Sequence, residues 1–193
     1  MKILVACEES QAVTLAFRAR GHEAFSCDVQ RPSGGHPEWH IQGDVKLVLD
    51  DRWDMIIAHP PCTYLTRAGS CNLFYGIAGE IKNIDRWESV QRAKEFFMLF
   101  YNHPCPRICI ENPVPFARAQ LPPWNQVIQP YEFGENFSKQ TCLWLKGLPT
   151  LLPLCDCRGL RGKFPSWTKV HRTAKQRSKT FPKIAQAMAQ QWG

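Results

Sequence analysis

Four short apolar runs, 2–7, 23–29, 53–58 and 107–111, each stop abruptly at polar or proline residues, and nothing else in the sequence constrains the fold as strongly. Runs of this length bounded by turn signals read as buried strands. The stretches between them have helical spacing. Ser10 precedes Ala12, Val13, Leu15, Ala16 and Phe17, and Gly21 follows, which is the pattern of a Ser-capped helix with a glycine stop. Trp87, Val90, Ala93, Phe96, Phe97 and Phe100 recur on one helical face, and 182–191 forms a last helix with Pro in its first turn. Further strands are expected over 126–133 and 141–145, and a Pro- and Gly-rich loop over 31–37. Strands alternating with helices predict an α/β fold with a mainly parallel sheet, which binds ligands beyond the carboxyl ends of its strands.

Composition narrows the class. With 193 residues, 44% of them hydrophobic, the chain can bury a full core, which excludes wholesale disorder. No apolar run approaches the roughly 18 residues needed to span a bilayer, so a soluble, unexported, cytoplasmic protein without membrane contact is expected. Nine cysteines are an odd number without framework spacing, which points to a reducing compartment, with Cys7, Cys27 and Cys109 read as core. Cys155-Asp156-Cys157 with Cys142 and His171 has a one-residue spacer ill suited to zinc, and no metal is expected. His36-Pro37-Glu38-Trp39-His40 reads as loop, with Trp39 a candidate cover for a bound ligand.

The charge is concentrated. Residues 158–193 carry Arg158, Arg161, Lys163, Lys169, Arg172, Lys175, Arg177, Lys179 and Lys183 and no acid, whereas the rest of the chain is close to neutral. Interleaved with Phe164, Trp167 and Phe181, such a block suits a polyanion, because cations neutralise phosphates while flat side chains stack on bases. DNA is the first partner to consider; a solvated basic tail is the plain alternative.

The carboxyl ends of the expected strands supply Glu8, Glu9, Asp28, Asp44, Cys62 and Glu111-Asn112. A cysteine opening a loop after a buried strand can act as a nucleophile once its thiolate is stabilised, and a neighbouring carboxyl group can hold or protonate the substrate. The same residues also have structural readings: an inert buried thiol at Cys62, an ion-paired Glu111, turn-capping aspartates.

In these residues the chain resembles the DNA cytosine-5 methyltransferases. Ala58-His59-Pro60-Pro61-Cys62 resembles the family's Pro-Cys motif, and about fifty residues later Ile110-Glu111-Asn112-Pro113 resembles its Glu-Asn motif. Asp28 at the end of the second strand, Gly43-Asp44-Val45, and Trp53–Ile57 leading to the cysteine fall in the family's order. The resemblance covers most of residues 2–145 and is to small, phage-borne members. It implies a Rossmann-like methyltransferase fold, S-adenosylmethionine as cofactor, and methyl transfer to carbon-5 of cytosine. Cys62 would add to carbon-6, Glu111 would hold or protonate ring nitrogen 3, and Asn112 would orient the loop. Asp28 would bind the cofactor's ribose, Asp44 its adenine amino group, and the backbone after Cys7, or Glu8 or Glu9, its amino-acid end, with Ala6, Val45 and Pro60 also among the cofactor-binding residues. The loop 63–83 is the expected lid.

Three differences from the family stand out. Ala6-Cys7-Glu8-Glu9-Ser10 has no glycine where the family has a glycine-rich turn. Ser138-Lys139-Gln140-Thr141 stands in place of a Gln-x-Arg-x-Arg strand, leaving Lys139 as its one cation. Residues 149–176 replace a much larger target-recognition domain, so short or relaxed sequence specificity is expected. The expected organisation is a catalytic core at 1–148, a small basic insertion at 149–176 and a helix at 177–193 returning to the core. A cytosine nucleotide or RNA as substrate, or a binding protein without turnover, are the alternatives; oligomeric state is not encoded in any of these signals.

Overall fold

The computed structural model describes residues 1–67, 70, 73–74, 79–154, 162–170, 173 and 179–193. Among these, seven strands form one sheet: β1 (Lys2–Ala6), β2 (Glu23–Asp28), β3 (His40–Gln42), β4 (Met55–Ala58), β5 (Ile108–Pro113), β6 (Gln126–Ile128) and β7 (Thr141–Lys146), in the order β3-β2-β1-β4-β5-β7-β6. The first five run parallel, and β7 pairs antiparallel with both β5 and β6. The mainly parallel α/β sheet expected from the sequence is the one observed. The strand order reverses at β1/β4, the position where open α/β sheets place ligands.

Alternate residues of each strand feed two cores, as the two-residue period of a strand requires. Leu4, Ile56, Ile110 and Trp144 pack with Val90, Phe97 and Phe100 of helix α2 (Ile84–Tyr101). Ile3, Val5, Ile57 and Cys109 pack on the other face with Val13 and Phe17 of α1 (Ala12–Arg18) and with Ile184, Met188 and Trp192 of the last helix. That helix is α4 (Pro182–Trp192), preceded by a short α3 (Trp167–Val170). Cys27 and Cys109 are fully buried and Cys7 packs at the core's margin, as expected. No helix of the described residues is long and apolar enough to cross a membrane.

Local structure departs from expectation in four places. Ser10 does not cap α1: Gln11 is the N-cap residue in a left-handed conformation (φ 58°), and Glu8 caps from outside, accepting hydrogen bonds from the backbone N–H groups of Val13 (2.6 Å) and Thr14 (3.2 Å) and from the Thr14 hydroxyl (2.8 Å). His40 belongs to a strand rather than a loop, because residues 40–42 pair with Ser26–Asp28. Beyond Ile128 the expected strand becomes a 3-10 turn over Pro130–Phe133, since Pro130 has no N–H to give a ladder. Residues 149–152 are strapped to the core: Leu151 is fully buried, Gln126 exchanges two hydrogen bonds with its backbone, and Gln191 does the same for Leu152.

Candidate functional site

The carboxyl ends of β4 and β5 bring the two sequence motifs together. β4 ends at Ala58, and His59-Pro60-Pro61-Cys62 continues from it, with Pro60 buried and Cys62 half-buried. The Cys62 carbonyl accepts from the N–H groups of Leu65 and Thr66, closing a turn. Leu65 is fully buried, its carbonyl accepts from the Phe116 N–H at 2.9 Å, and Thr66 forms an antiparallel bridge to Pro115. The cysteine loop is thereby fastened to the segment that follows Glu111-Asn112. This corrects the expectation of a free lid for the near part of 63–83; of the rest, Leu73 is also buried in the core, and 68–69, 71–72 and 75–78 lie outside the described residues.

β5 places Glu111 and Asn112 on opposite faces. Asn112 is fully buried, and neither atom of its amide has a hydrogen-bond partner among the described residues, so no hydrogen bond ties it to the loop it was expected to orient. Glu111 faces the α1/α4 side, where its Oε2 lies 3.0 Å from Nδ1 of His59. Burial raises the Glu111 pKa, but the His59 hydrogen bond, the Lys139 charge, the His59 charge and a Thr180 hydrogen bond outweigh it and bring the carboxyl down to about 2. Burial alone would lower the His59 pKa; the hydrogen bond to Glu111 and the charges of Glu111 and Glu8 prevail, against Lys139, and raise it above the ordinary 6.5. Burial raises the Glu8 pKa, moderated by His59 and by its three hydrogen bonds.

His59 was not singled out from sequence. Only the strand pairing reveals it: the register Ile57↔Cys109 and Ala58↔Ile110, carried one step further, sets His59 beside Glu111 on one face.

On the far side of β1 the chain turns at Cys7, which takes up φ 60° where a glycine was missing from the sequence. Its N–H and that of Glu8 both donate to the Cys27 carbonyl, which extends the β1–β2 pairing past Ala6. Burial, then the charges of Asp28, Cys27 and Asp44, push the Cys7 thiol far up, and burial with the same aspartates raises Cys27 to about 11; both groups are inert as nucleophiles at neutral pH. These charges also show that Asp28 and Asp44 converge on Cys7. Each aspartate caps its own turn, Asp28 accepting from Gln30 N–H (2.8 Å) and Asp44 from Lys46 N–H (3.0 Å), with Val45 buried behind. Gln11 clamps the next loop through His36, and Gly34 lies so close that a Cβ there would meet Ser10 and Gln11 at under 3 Å. Trp39 stacks on His36 and lies under the Arg18 guanidinium, a local packing role in place of the expected cover.

Between α1 and the entry to α4 opens a cleft of about 430 Å³ lined by Ser10, Ser33, Trp167, Lys179, Thr180 and Phe181. Glu9 precedes Ser10 and lies 3.9 Å from Nζ of the cleft residue Lys179; it is 8% exposed, and neither carboxylate oxygen has a hydrogen-bond partner among the described residues. Of the two adjacent glutamates given one role, Glu8 is engaged at the start of α1 and Glu9 stands beside Lys179.

Lys163 and Lys169 are exposed, whereas Lys139 is half-buried and its charge acts on Glu111 and His59. Arg158, Arg161, Arg172, Lys175 and Arg177 lie outside the described residues, as do Cys155, Asp156, Cys157 and His171. Among the described residues no cluster of His, Cys, Asp and Glu is arranged to hold a metal ion.

No protein family's sequence profile matches the chain, and no curated protein matches it in sequence. Solved structures similar to it include a prophage-encoded E. coli protein assigned as a DNA modification methyltransferase, at 12% identity and a TM-score of 0.45, covering 74% of this chain and 45% of that one. Another is the Dnmt2 methyltransferase of S. pombe, at 15% identity and a TM-score of 0.48, covering 77% of this chain and 51% of that one. The chain spans about half the length of these structures. Its own strand order and mostly parallel sheet define a Rossmann-like α/β fold.

Proposed function

We propose that this chain transfers a methyl group from S-adenosylmethionine to carbon-5 of cytosine in DNA, through a covalent bond between Cys62 and carbon-6. The observation that carries the reading is the tie between the two motif loops, Leu65 to Phe116 and Thr66 to Pro115, which fixes a cysteine and a carboxylate at one carboxyl edge of the sheet. Carbon-5 of cytosine is too weak a nucleophile to react unaided. Addition of the Cys62 thiolate would form an S–C6 bond and push the ring's electron pair to carbon-5, which would take the methyl group as that group's bond to the sulfonium sulfur breaks; loss of the carbon-5 proton to a base or water would then return the pair and break the S–C6 bond. Glu111 holds the ring nitrogen edge while this charge develops.

The cofactor supplies an electrophilic methyl group on a sulfonium centre. The residues present fit it: the buried Glu9 carboxylate, whose two oxygens lack hydrogen-bond partners among the described residues, suits the ammonium of its amino-acid end, and Ser10, Thr180 and Lys179 suit the carboxylate. Asp28 and Asp44 would hold its ribose and adenine, with Pro60 packed at its reacting end. The target base is unreachable inside a duplex and has to be flipped out. Lys163 and Lys169, with Arg158, Arg161, Arg172, Lys175 and Arg177, would neutralise the flanking phosphates. In this reading 1–148 is the catalytic core, 149–176 a small basic segment with short or relaxed specificity, and 177–193 the helix closing the cofactor site.

The test is expression of the wild type and Cys62→Ala in cells lacking cytosine methylation, followed by mass spectrometry of digested DNA. 5-Methylcytosine in the wild type alone is expected. Equal signal from both overturns the Cys62 mechanism; none from either overturns DNA as the methylated substrate, and shifts it to RNA, a nucleotide or binding without turnover.

A further inference from the structure

His59 and Glu111 are the one histidine–carboxylate contact among the described residues in which both side chains are nearly buried, 10% and 12% exposed. The histidine is held in place from both ends. Its backbone N–H donates to the Ala6 carbonyl at 2.9 Å, continuing the β1–β4 ladder, while Nδ1 meets Glu111 Oε2. Nε2 is buried with no hydrogen-bond partner among the described residues. The charged groups facing the ring are Glu111 from β5, Glu8 from the turn after β1, and Lys139 from the approach to β7; Thr180, ahead of α4, adds a neutral donor to Glu111. Two carboxylates against one ammonium favour an imidazolium.

We propose that His59 is a positioning residue that fixes Glu111 as a carboxylate with Oε2 turned inward, so that the site recognises an aminopyrimidine through N–H donors on its edge. With His59 on Oε2 and Thr180 also donating to the group, the two carboxylate oxygens keep lone-pair sites for a ligand's donors. A carboxylate can only accept, and cytosine offers an amino group at carbon-4, joined by an N–H when nitrogen 3 takes up a proton. Uracil sets a carbonyl oxygen at carbon-4, and acceptor would then face acceptor. A protonated Glu111 would tolerate either base; the histidine removes that tolerance. The class of ligand rests on the function proposed above, whereas the effect of His59 on Glu111 does not.

The experiment is a carbon-13 NMR titration of the Glu111 carboxyl group, assigned with Glu111→Gln, in the wild type, His59→Leu and His59→Asn. In the wild type it titrates below the ordinary carboxylate range. In His59→Leu its proton affinity rises about a hundredfold, two factors of ten in the titration. His59→Asn, whose side-chain amide can donate in place of Nδ1 without the charge, falls between, and it carries the test alone if the leucine variant does not fold. Identical titration in all foldable forms overturns the role of His59. Binding of oligo(dC) and oligo(dU) of equal length reads the second half: the preference for oligo(dC) drops about tenfold or more in His59→Leu. An unchanged ratio overturns the base-edge assignment. A wild type that binds neither strand overturns that assignment together with the DNA reading, while the titration still decides the positioning role.

Discussion

The Glu9 carboxylate and the Lys179 ammonium stand 3.9 Å apart, in contact by charge while both Glu9 oxygens lack a hydrogen bond among the described residues. A buried carboxylate in this state has strong acceptors left over for a ligand's ammonium, and the lysine beside it suits a carboxylate. The two residues come from opposite ends of the chain, and α1 and α4 bring them together.

Glu9→Gln should therefore weaken S-adenosylmethionine binding by about tenfold to a hundredfold, the range of a hydrogen bond to a charged group. Lys179→Met should weaken it less, because Lys179 is nearly half exposed. Isothermal calorimetry with the purified variants is the measurement. Wild-type affinity in Glu9→Gln would place the cofactor's ammonium elsewhere.

Acid stability should report on Glu111. Its pKa in the folded chain is depressed to about 2 from 4.5, so its contribution is full above the unfolded value and is lost as pH falls from about 4.5 toward 2. His59, raised above 6.5, contributes fully below that value and loses its contribution as pH climbs past its folded pKa. Urea denaturation of the wild type and Glu111→Gln across this range should show the difference between them shrinking at both ends. A constant difference from pH 3 to pH 9 would mean that the pair is not ionised in the native state.

Glu8→Ala should destabilise the fold by about 1–3 kcal/mol, since the variant removes a cap and strands the N–H groups of Val13 and Thr14 in the interior. Chemical denaturation measures it. Had Glu8 been a ligand to the cofactor instead, the variant would fold as well as the wild type and lose cofactor affinity alone.

Lys163→Ala combined with Lys169→Ala should flatten the salt dependence of DNA binding. Each lost phosphate contact lowers the slope of log affinity against log salt by about 0.9, so the double variant should lose about 1.8. Fluorescence anisotropy with a mixed-sequence duplex over a range of salt concentrations gives the slope. No change would confine the DNA surface to other parts of the chain.

The residues that were legible in sequence share a property: their role is written in local pattern. Ile3–Ala6 and Met55–Ala58 are continuous apolar runs, and such runs buried on both faces have few alternatives to a central parallel strand. Cys62 and Glu111 were legible because one lies just past such an apolar run and the other at the polar end of one. Glu8 and Glu9 were not distinguishable, because the distinction depends on where α1 begins, and that in turn depends on the left-handed turn at Gln11. His59 escaped attention because its significance is a strand register, a relation to a residue 52 positions away that no local pattern contains. β3 was missed because three residues are too few for a period, and its pairing with β2 alone defines it.

The docking of α4 against α1 has a consequence for synthesis. A nascent chain emerges with its N-terminus first, yet Val13 and Phe17 of α1 are covered by Ile184, Ala185 and Met188, which are made long after them. Until then that side of the sheet is an exposed apolar face, and Glu9 has no Lys179 to meet. The pocket assigned to the cofactor is thus assembled only once residues 179–182 have been made, which makes ligand capture a readout of synthesis past that point: a chain truncated before residue 179 would present Asp28, Cys62 and Glu111 without Lys179, Thr180 and Phe181 of the cleft.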